Sequence, residues 1–110
     1  MSKSPTSMSE LNALLTLLGP KDVVVDVREP DEFAEGHIAG AINCPLSNIA
    51  AYANQLSKYD NLYVHCRAGR RAVGAVETLK QAGLKNLHCI YEDGMAAWEA
   101  AGLPMVRGSK

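Results

Sequence analysis

The 110-residue chain lacks several features that would place it in a specialised class of protein. Its apolar runs are far shorter than the roughly 20 residues needed to cross a bilayer. Its three cysteines, Cys44, Cys66 and Cys89, are too few for a disulfide framework and have no zinc-type spacing. Eleven basic and twelve acidic residues give a net charge of −1, which argues against nucleic-acid binding. We therefore expect a small globular domain with neither a membrane nor a nucleic-acid partner.

The N-terminal segment also lacks the marks of a secretory leader. It has no apolar core of about 7–15 residues followed by a small-residue cleavage site. We therefore expect a reducing cytoplasmic location, in which at least one thiol is free. Residues 1–8 are mostly polar and are interpreted as a mobile tail.

Short β-branched runs alternate along the chain with segments of helical periodicity. The run Val23–Val27 is too apolar to have one solvent-exposed face, which is typical of a parallel strand buried on both sides. The predicted strands are 23–27, 41–44, 62–66 and 87–91. The predicted helices are 9–18 (capped by Ser9), a short turn from Pro30, 47–56 (capped by Ser47), 71–81 and a last one containing Trp98. This alternation predicts an α/β layered fold with a mainly parallel sheet.

The segment that follows the third predicted strand carries the strongest functional signal. It contains Cys66, three arginines and no acidic residue. The arginine charges, the positive end of the following helix and inward-pointing loop amides would all favour the thiolate form of Cys66. Three crowded arginines repel one another unless they share an anionic partner. We therefore predict a nucleophilic Cys66, whereas Cys44 and Cys89 are interpreted as small buried hydrophobic residues.

Three sets of residues resemble the rhodanese family. The N-terminal signature comprises Asp26-Val27-Arg28-Glu29, Phe33, Gly36-His37-Ile38, Gly40-Ala41-Ile42-Asn43 and Pro45. The active-site loop corresponds to Cys66-Arg67-Ala68-Gly69-Arg70-Arg71, and the closing helix to Gly94-Met95-Ala96-Ala97-Trp98. The resemblance covers residues 9–106 and leaves 107–110 as a C-terminal tail. It implies a three-layer α/β fold with a central, mainly parallel sheet of four to five strands and helices on both faces.

The resemblance also assigns roles to individual residues. It implies that Cys66 carries a persulfide and that Arg67, Ala68, Gly69, Arg70 and Arg71 cradle the transferred sulfur. The implied reaction moves a sulfane sulfur from a small anionic donor such as thiosulfate to cyanide, a thiol or a sulfur-accepting protein. No metal or organic cofactor is required. We assign recruitment of the anionic donor to Arg67 and Arg70, and ordering of the loop to Arg71.

Spacing within the loop bears on the reaction class. Cys66 and Arg71 enclose four residues, one fewer than in the similar loops of related phosphatases. The shorter ring suits one terminal sulfur better than a tetrahedral oxyanion, so we favour sulfur transfer over a phosphatase or arsenate-reductase activity. A non-catalytic, regulatory rhodanese-like binding module is the other alternative, although such modules usually lack the cysteine.

Several charged residues outside the loop are interpreted as structural. Asp26 and Arg28 are expected to fix loops by hydrogen bonding rather than to react. The acidic cluster of Glu29, Asp31, Glu32 and Glu35 is interpreted as a solvated face. The family often has a Gly-Gly pair before the last helix, where this chain has Asp93-Gly94 preceded by Glu92. These two acidic residues would lie either at the pocket mouth, where they would weaken its attraction for anionic donors, or in a solvated turn.

Overall fold

The structure is a computed structural model that describes residues 4–109. Four strands form one sheet in the order β2-β1-β3-β4, with every neighbouring pair parallel. They are β1 (Asp22–Asp26), β2 (Ile42–Asn43), β3 (Asn61–His65) and β4 (Leu87–Cys89). This confirms the predicted mainly parallel sheet of four to five strands. Both β1 and β3 begin and end one residue earlier than predicted.

Five α-helices surround the sheet: α1 (Met8–Leu14), α2 (Pro30–Glu35), α3 (Ala53–Leu56), α4 (Arg70–Gln81) and α5 (Met95–Ala100). Two 3₁₀ segments, Leu15–Leu17 and Leu46–Tyr52, precede β1 and α3. Among residues 4–109, no helix combines the length and apolar character that crossing a membrane would require.

The predicted helix 47–56 is only partly correct. The segment from Leu46 to Tyr52 is 3₁₀, and Asn48 within it leaves helical geometry at φ −137°. Ser47 does not cap a helix; its hydroxyl lies 3.3 Å from a carboxylate oxygen of Glu29. The chain enters this segment from Pro45, whose extended backbone precedes the first turn. Helical periodicity therefore identified the right region but not the type of helix.

The sheet has an apolar core on each face, as the resemblance implied. Val23 and Val25 of β1 face one cluster, which includes Ala72, Ala75 and Leu79 of α4. Val24 faces the other, with contributions from α1, α2 and α5. Successive side chains of a strand point to opposite faces, so an unbroken valine run is what such a strand requires.

The segment before α1 belongs to the folded unit from residue 4 onwards, which corrects the interpretation of residues 1–8 as a tail. Met8 is buried, and its N–H donates to the Asp93 carboxylate at 2.8 Å. The hydroxyl of Thr6 donates to Glu92. Ser7, not Ser9, caps the helix.

Glu92 and Asp93 therefore anchor the N-terminal segment. Neither expectation, a position at the pocket mouth or a solvated turn, included this role. At the other end of the chain, Gly108 N donates to Ala34 O at 2.9 Å, so the predicted tail 107–110 also contacts the domain. Residues 1–3 and 110 of the two predicted tails lie outside the described residues.

Two leucines of the N-terminal region test this packing. Leu11 is 0% exposed and Leu17 is 75% exposed. We expect Leu11→Ala to lower the free energy of unfolding by about 2–5 kcal/mol, because it leaves a cavity in the core. Leu17→Ala should change it by less than about 0.5 kcal/mol. Urea denaturation followed by Trp98 fluorescence measures both; equal losses would contradict the packing of α1.

Candidate active site

Cys66 lies at the point where the strand order of the sheet reverses. The chain passes from β1 to its neighbour β2 and then returns to place β3 on the other side of β1. Pairing continues beyond the strand ends, since Val27 N donates to His65 O at 3.0 Å. The segments that follow β1 and β3 therefore diverge from a common edge. In open parallel sheets this crevice is the usual ligand-binding position.

The chain turns tightly from Cys66 into α4, and two backbone amides converge on the sulfur. Gly69 N lies 3.1 Å from Cys66 Sγ, and Ala72 N lies 3.3 Å from it. Gly69 adopts φ +107°, in the left-handed region that favours glycine. The N-terminal end of the 12-residue helix α4 adds a partial positive charge at the same place. The arrangement favours a negatively charged group at Sγ.

The cysteine itself is covered. Cys66 is only 1% exposed, whereas Arg67, Ala68 and Arg70 of the loop are exposed. Its side chain belongs to the apolar cluster on the α4 face of the sheet. In this structure the thiol is therefore almost inaccessible to solvent.

Two glycines allow the loop to pack closely against the segment before α5. A side chain at Gly69 would place its Cβ 2.3 Å from Tyr91 O, and one at Gly94 would place its Cβ 2.2 Å from Cys66 O. Met95 N also donates to Cys66 O at 2.8 Å. Backbone atoms that approach so closely leave no room for a methyl group. The segment 94–98 (Gly-Met-Ala-Ala-Trp) thus packs against the backbone of the cysteine loop and supports it.

The three loop arginines differ in their partners. Arg71 makes two hydrogen bonds to Glu32, at 2.7 and 2.9 Å. This pairing lowers the pKa of Glu32 to about 2 and raises that of Arg71. Arg67 and Arg70 have no side-chain hydrogen bond or ion pair to any residue in the range 4–109. Two cations of the loop are therefore available to a ligand.

Glu32 was missed as a residue of the site. Its sequence neighbours suggested a solvated acidic face, but its carboxylate joins α2 to the start of α4. It occupies the third position of α2 and also completes a capping box with Glu29. That helical position is visible in the sequence, whereas the partner on α4 is not.

Asp26 and Arg28 form a buried network beneath the crevice, at 0% and 4% exposure. The guanidinium donates to both oxygens of the Asp26 carboxylate at 2.8–3.1 Å and to Gly36 O at 2.8 Å. Asn43 Nδ2 donates to the backbone carbonyls of both residues. His65 is also fully buried, which lowers its pKa and favours the neutral imidazole. The hydrogen bonds of Asn43 tie β2 to the end of β1 and to the segment that follows it.

The other two cysteines are poor nucleophiles in this fold. Burial, with the nearby charge of Asp26, raises the pKa of Cys44 to about 12. Burial and the proximity of Cys66 raise the pKa of Cys89. Within residues 4–109, no group of three or more His, Cys, Asp or Glu side chains is arranged to hold a metal ion.

The fold and the site together define an α/β domain with one cysteine in an arginine-rich loop at the switch point of a parallel sheet. Comparison with known sequences gives the family: the rhodanese-like domain profile matches residues 7–101. The chain belongs to the rhodanese-like domain family.

Three relatives illustrate the match. Thiosulfate sulfurtransferase 16 of Arabidopsis thaliana (chloroplastic) is 36% identical over 94% of both chains. YrkF of Bacillus subtilis is 36% identical over 68% of this chain, which spans only 40% of that protein. The crystal structure of a rhodanese-related protein from Thermoplasma volcanium is 33% identical with a TM-score of 0.78, covering 94% of this chain and 98% of that one.

The pairing of Glu32 with Arg71 predicts a pH-dependent contribution to stability. The folded pKa of Glu32, about 2, is below its ordinary value of 4.5, so the contribution is complete above pH 4.5 and disappears as the pH falls through about 2. The pair is partly exposed, so we expect Glu32→Gln to cost about 0.5–1 kcal/mol at pH 7 and almost nothing near pH 2. Urea denaturation across this range measures the difference; a constant difference would contradict the assignment.

Proposed function

We propose that the protein is a sulfurtransferase of the thiosulfate type with Cys66 as its nucleophile. The observation that carries the proposal is the convergence of two amide N–H groups on Cys66 Sγ beside two unpaired arginines. Sulfurtransferases among its relatives support the same reaction class. The loop, rather than a metal or an organic cofactor, stabilises the charge at sulfur.

In the first step the Cys66 thiolate attacks the outer sulfur of thiosulfate. A new S–S bond forms, the bond between the two donor sulfurs breaks, and its electron pair leaves with sulfite. The product is a Cys66 persulfide anion, and the total charge is unchanged. Arg67 and Arg70 recruit the anionic donor, while Arg71, held by Glu32, orders the loop. This is covalent catalysis with ping-pong kinetics.

In the second step a nucleophilic acceptor removes the outer sulfur and restores the thiolate. Cyanide, a small thiol and a cysteine of a sulfur-accepting protein are all suitable acceptors. The same amides that contact Sγ stabilise the anion in both states. A reducing cytoplasm, as we propose for this chain, keeps such a thiol free for each cycle.

Intact mass spectrometry after incubation with thiosulfate tests the reaction class. We expect the chain to gain the mass of one sulfur atom and to lose it on addition of cyanide. Cys66→Ser should abolish the gain, and the matched control Cys89→Ser should retain it, because burial keeps that thiol protonated. A sulfur gain that persists in Cys66→Ser would refute the assignment.

Replacing Arg67 tests the recruitment of the donor. We expect Arg67→Gln to raise KM for thiosulfate severalfold and to change kcat less, because an exposed cation acts mainly on binding. Lys85→Gln removes an exposed cation outside the loop and serves as the control. Steady-state kinetics at low salt measure both; an unchanged KM in Arg67→Gln would contradict the role.

A second candidate function is a non-catalytic binding module, and the 1% exposure of Cys66 favours it. A thiol that remains covered in solution would not react with thiosulfate at all. The mass experiment separates the two functions, because a binding module would gain no sulfur. A gain of phosphate from an aryl phosphate would instead support phosphatase chemistry.

A further inference from the structure

A second cluster of polar side chains lies near the edge of the sheet at which the strands begin. Asp22 and Asn61 are the first residues of β1 and β3 and pair in register, and His88 lies on the neighbouring strand β4. Cys66 follows the last residue of β3, five positions after Asn61, or roughly 16 Å along an extended strand. The cluster is therefore separate from the cysteine loop, and the proposed sulfur transfer does not use it.

Four side chains of this cluster form one series of hydrogen bonds. The hydroxyl of Ser4 lies 2.6 Å from His88 Nδ1, and His88 Nε2 lies 2.9 Å from Asn61 Oδ1. Asn61 Nδ2 donates to Asp22 Oδ1 at 3.0 Å, and Gly19 N donates to Asp22 Oδ2 at 2.9 Å. The hydrogen bonds from Gly19 and Asn61 lower the pKa of Asp22, so its carboxylate is ionised and can only accept.

The direction of these hydrogen bonds fixes the proton on the imidazole of His88. Since Asn61 donates through Nδ2 to a carboxylate, its carbonyl oxygen faces His88 and accepts from Nε2. Burial lowers the pKa of His88, so the ring is neutral at pH 7 and its single proton is on Nε2. Nδ1 therefore accepts the proton of the Ser4 hydroxyl. The ring also stacks on Tyr63, with centroids 4.5 Å apart, which holds it in place.

This arrangement meets the requirements for an activated serine hydroxyl. One nitrogen of a neutral imidazole must accept the hydroxyl proton, and the other must donate to a group that fixes the tautomer. Ser4 and Asn61 occupy these two positions around His88, and Asp22 holds the amide of Asn61. Ser4 is also exposed, so a substrate can approach its hydroxyl from solvent.

A cavity of about 620 Å³ adjoins the Ser4–His88 hydrogen bond, since both residues line it. Its volume is typical of small-molecule sites in proteins. Lys80 and Lys85 line the same cavity, and neither forms an ion pair with any residue in the range 4–109. No acidic side chain of that range contributes to the lining. Part of the remaining wall is apolar and consists of Val76, Leu84 and Leu87. The cavity thus combines a hydroxyl nucleophile with positive charge and apolar surface.

We propose that Ser4 and His88 form a second catalytic site, which hydrolyses small carboxylic esters that carry a negative charge. Ser4 is the nucleophile and His88 is the general base. Asn61 is a positioning residue, because it acts only through His88. The positive charges of Lys80 and Lys85 favour binding of an anionic ester over a neutral one. The proposal goes beyond the sulfurtransferase function and does not depend on it.

The reaction balances in atoms and charge. Ser4 Oγ attacks the carbonyl carbon of the ester while His88 Nδ1 takes the hydroxyl proton. The C–O bond of the ester breaks and the alcohol leaves with that proton, which gives an acyl ester of Ser4. Water then attacks the acyl group and gives one proton to His88, which passes it to Ser4 Oγ as the carboxylic acid leaves. Water is the only co-reactant.

Ester hydrolysis by the full chain tests the site. The substrate is mono-4-nitrophenyl succinate, and Cys66→Ala is present throughout because a thiolate also reacts with such esters. We expect Ser4→Ala and His88→Gln each to lower the rate of 4-nitrophenolate release about a hundredfold, as loss of a nucleophile or of its general base predicts. Ser9→Ala alters an exposed serine outside the hydrogen-bond series and should leave the rate unchanged.

Mass spectrometry separates acylation of Ser4 from acylation of amines. We expect one succinyl group on the peptide that contains Ser4, absent in Ser4→Ala and removed by alkaline hydroxylamine because it is an ester. Succinyl groups found only on amines would resist hydroxylamine and would overturn the proposal, as would equally fast hydrolysis in Ser4→Ala. Since Ser4 is exposed, its replacement leaves the fold intact, and the result does not rest on the folding of His88→Gln.

Two lysine replacements test the substrate class. We expect Lys80→Gln/Lys85→Gln to raise KM for mono-4-nitrophenyl succinate about fivefold at low salt, as loss of two exposed charge interactions predicts. KM for the uncharged 4-nitrophenyl acetate should not change. Lys58→Gln, which removes an exposed cation outside the cavity, is the matched control. An equal change in KM for both esters, or none for either, would overturn the assignment of an anionic substrate.

Discussion

Two backbone N–H groups directed at the sulfur of Cys66 are the interaction on which the rest of the site depends. They converge only because the chain turns within three residues, from Cys66 to Gly69, and enters α4 immediately. That turn needs a positive φ at Gly69 and the absence of a side chain at Gly94, where a Cβ would lie 2.2 Å from Cys66 O. The geometry of the loop is therefore maintained by neighbours on both sides of it.

The arginines around this loop fall into two groups, those held in place by an ion pair and those free to contact a ligand. Arg71 is neutralised by Glu32 and Arg28 by Asp26, so both guanidinium groups are held in place. Arg67 and Arg70 keep their charges available to solvent and ligands. The two paired guanidinium groups are therefore structural, whereas the two unpaired ones are free to contact an anionic ligand.

Sequence patterns predicted secondary structure and burial best where all residues of a segment share one environment, as in a strand buried on both faces. The valine run of β1 predicted a strand buried on both faces, and the structure places neighbouring valines in opposite cores. Patterns were less informative at 46–52, where Pro45 and the backbone of Asn48 produce 3₁₀ geometry within an otherwise helical periodicity. They also misjudged residues 4–8, because Met8 is buried and its N–H bonds to Asp93, 85 positions away in the chain.

The sequence by itself determined the parallel α/β architecture, the cysteine loop and its arginines, because these follow from local periodicity and from residues adjacent in the chain. Only the tertiary structure decided which loop arginine is paired, which carboxylate pairs with it and how deeply Cys66 is covered. The partners in the Glu32 and Arg71 ion pair are 39 positions apart, so their contact exists only once α2 and α4 pack beside the same sheet edge. Burial and charge pairing depend on distance in space, which a linear pattern does not contain.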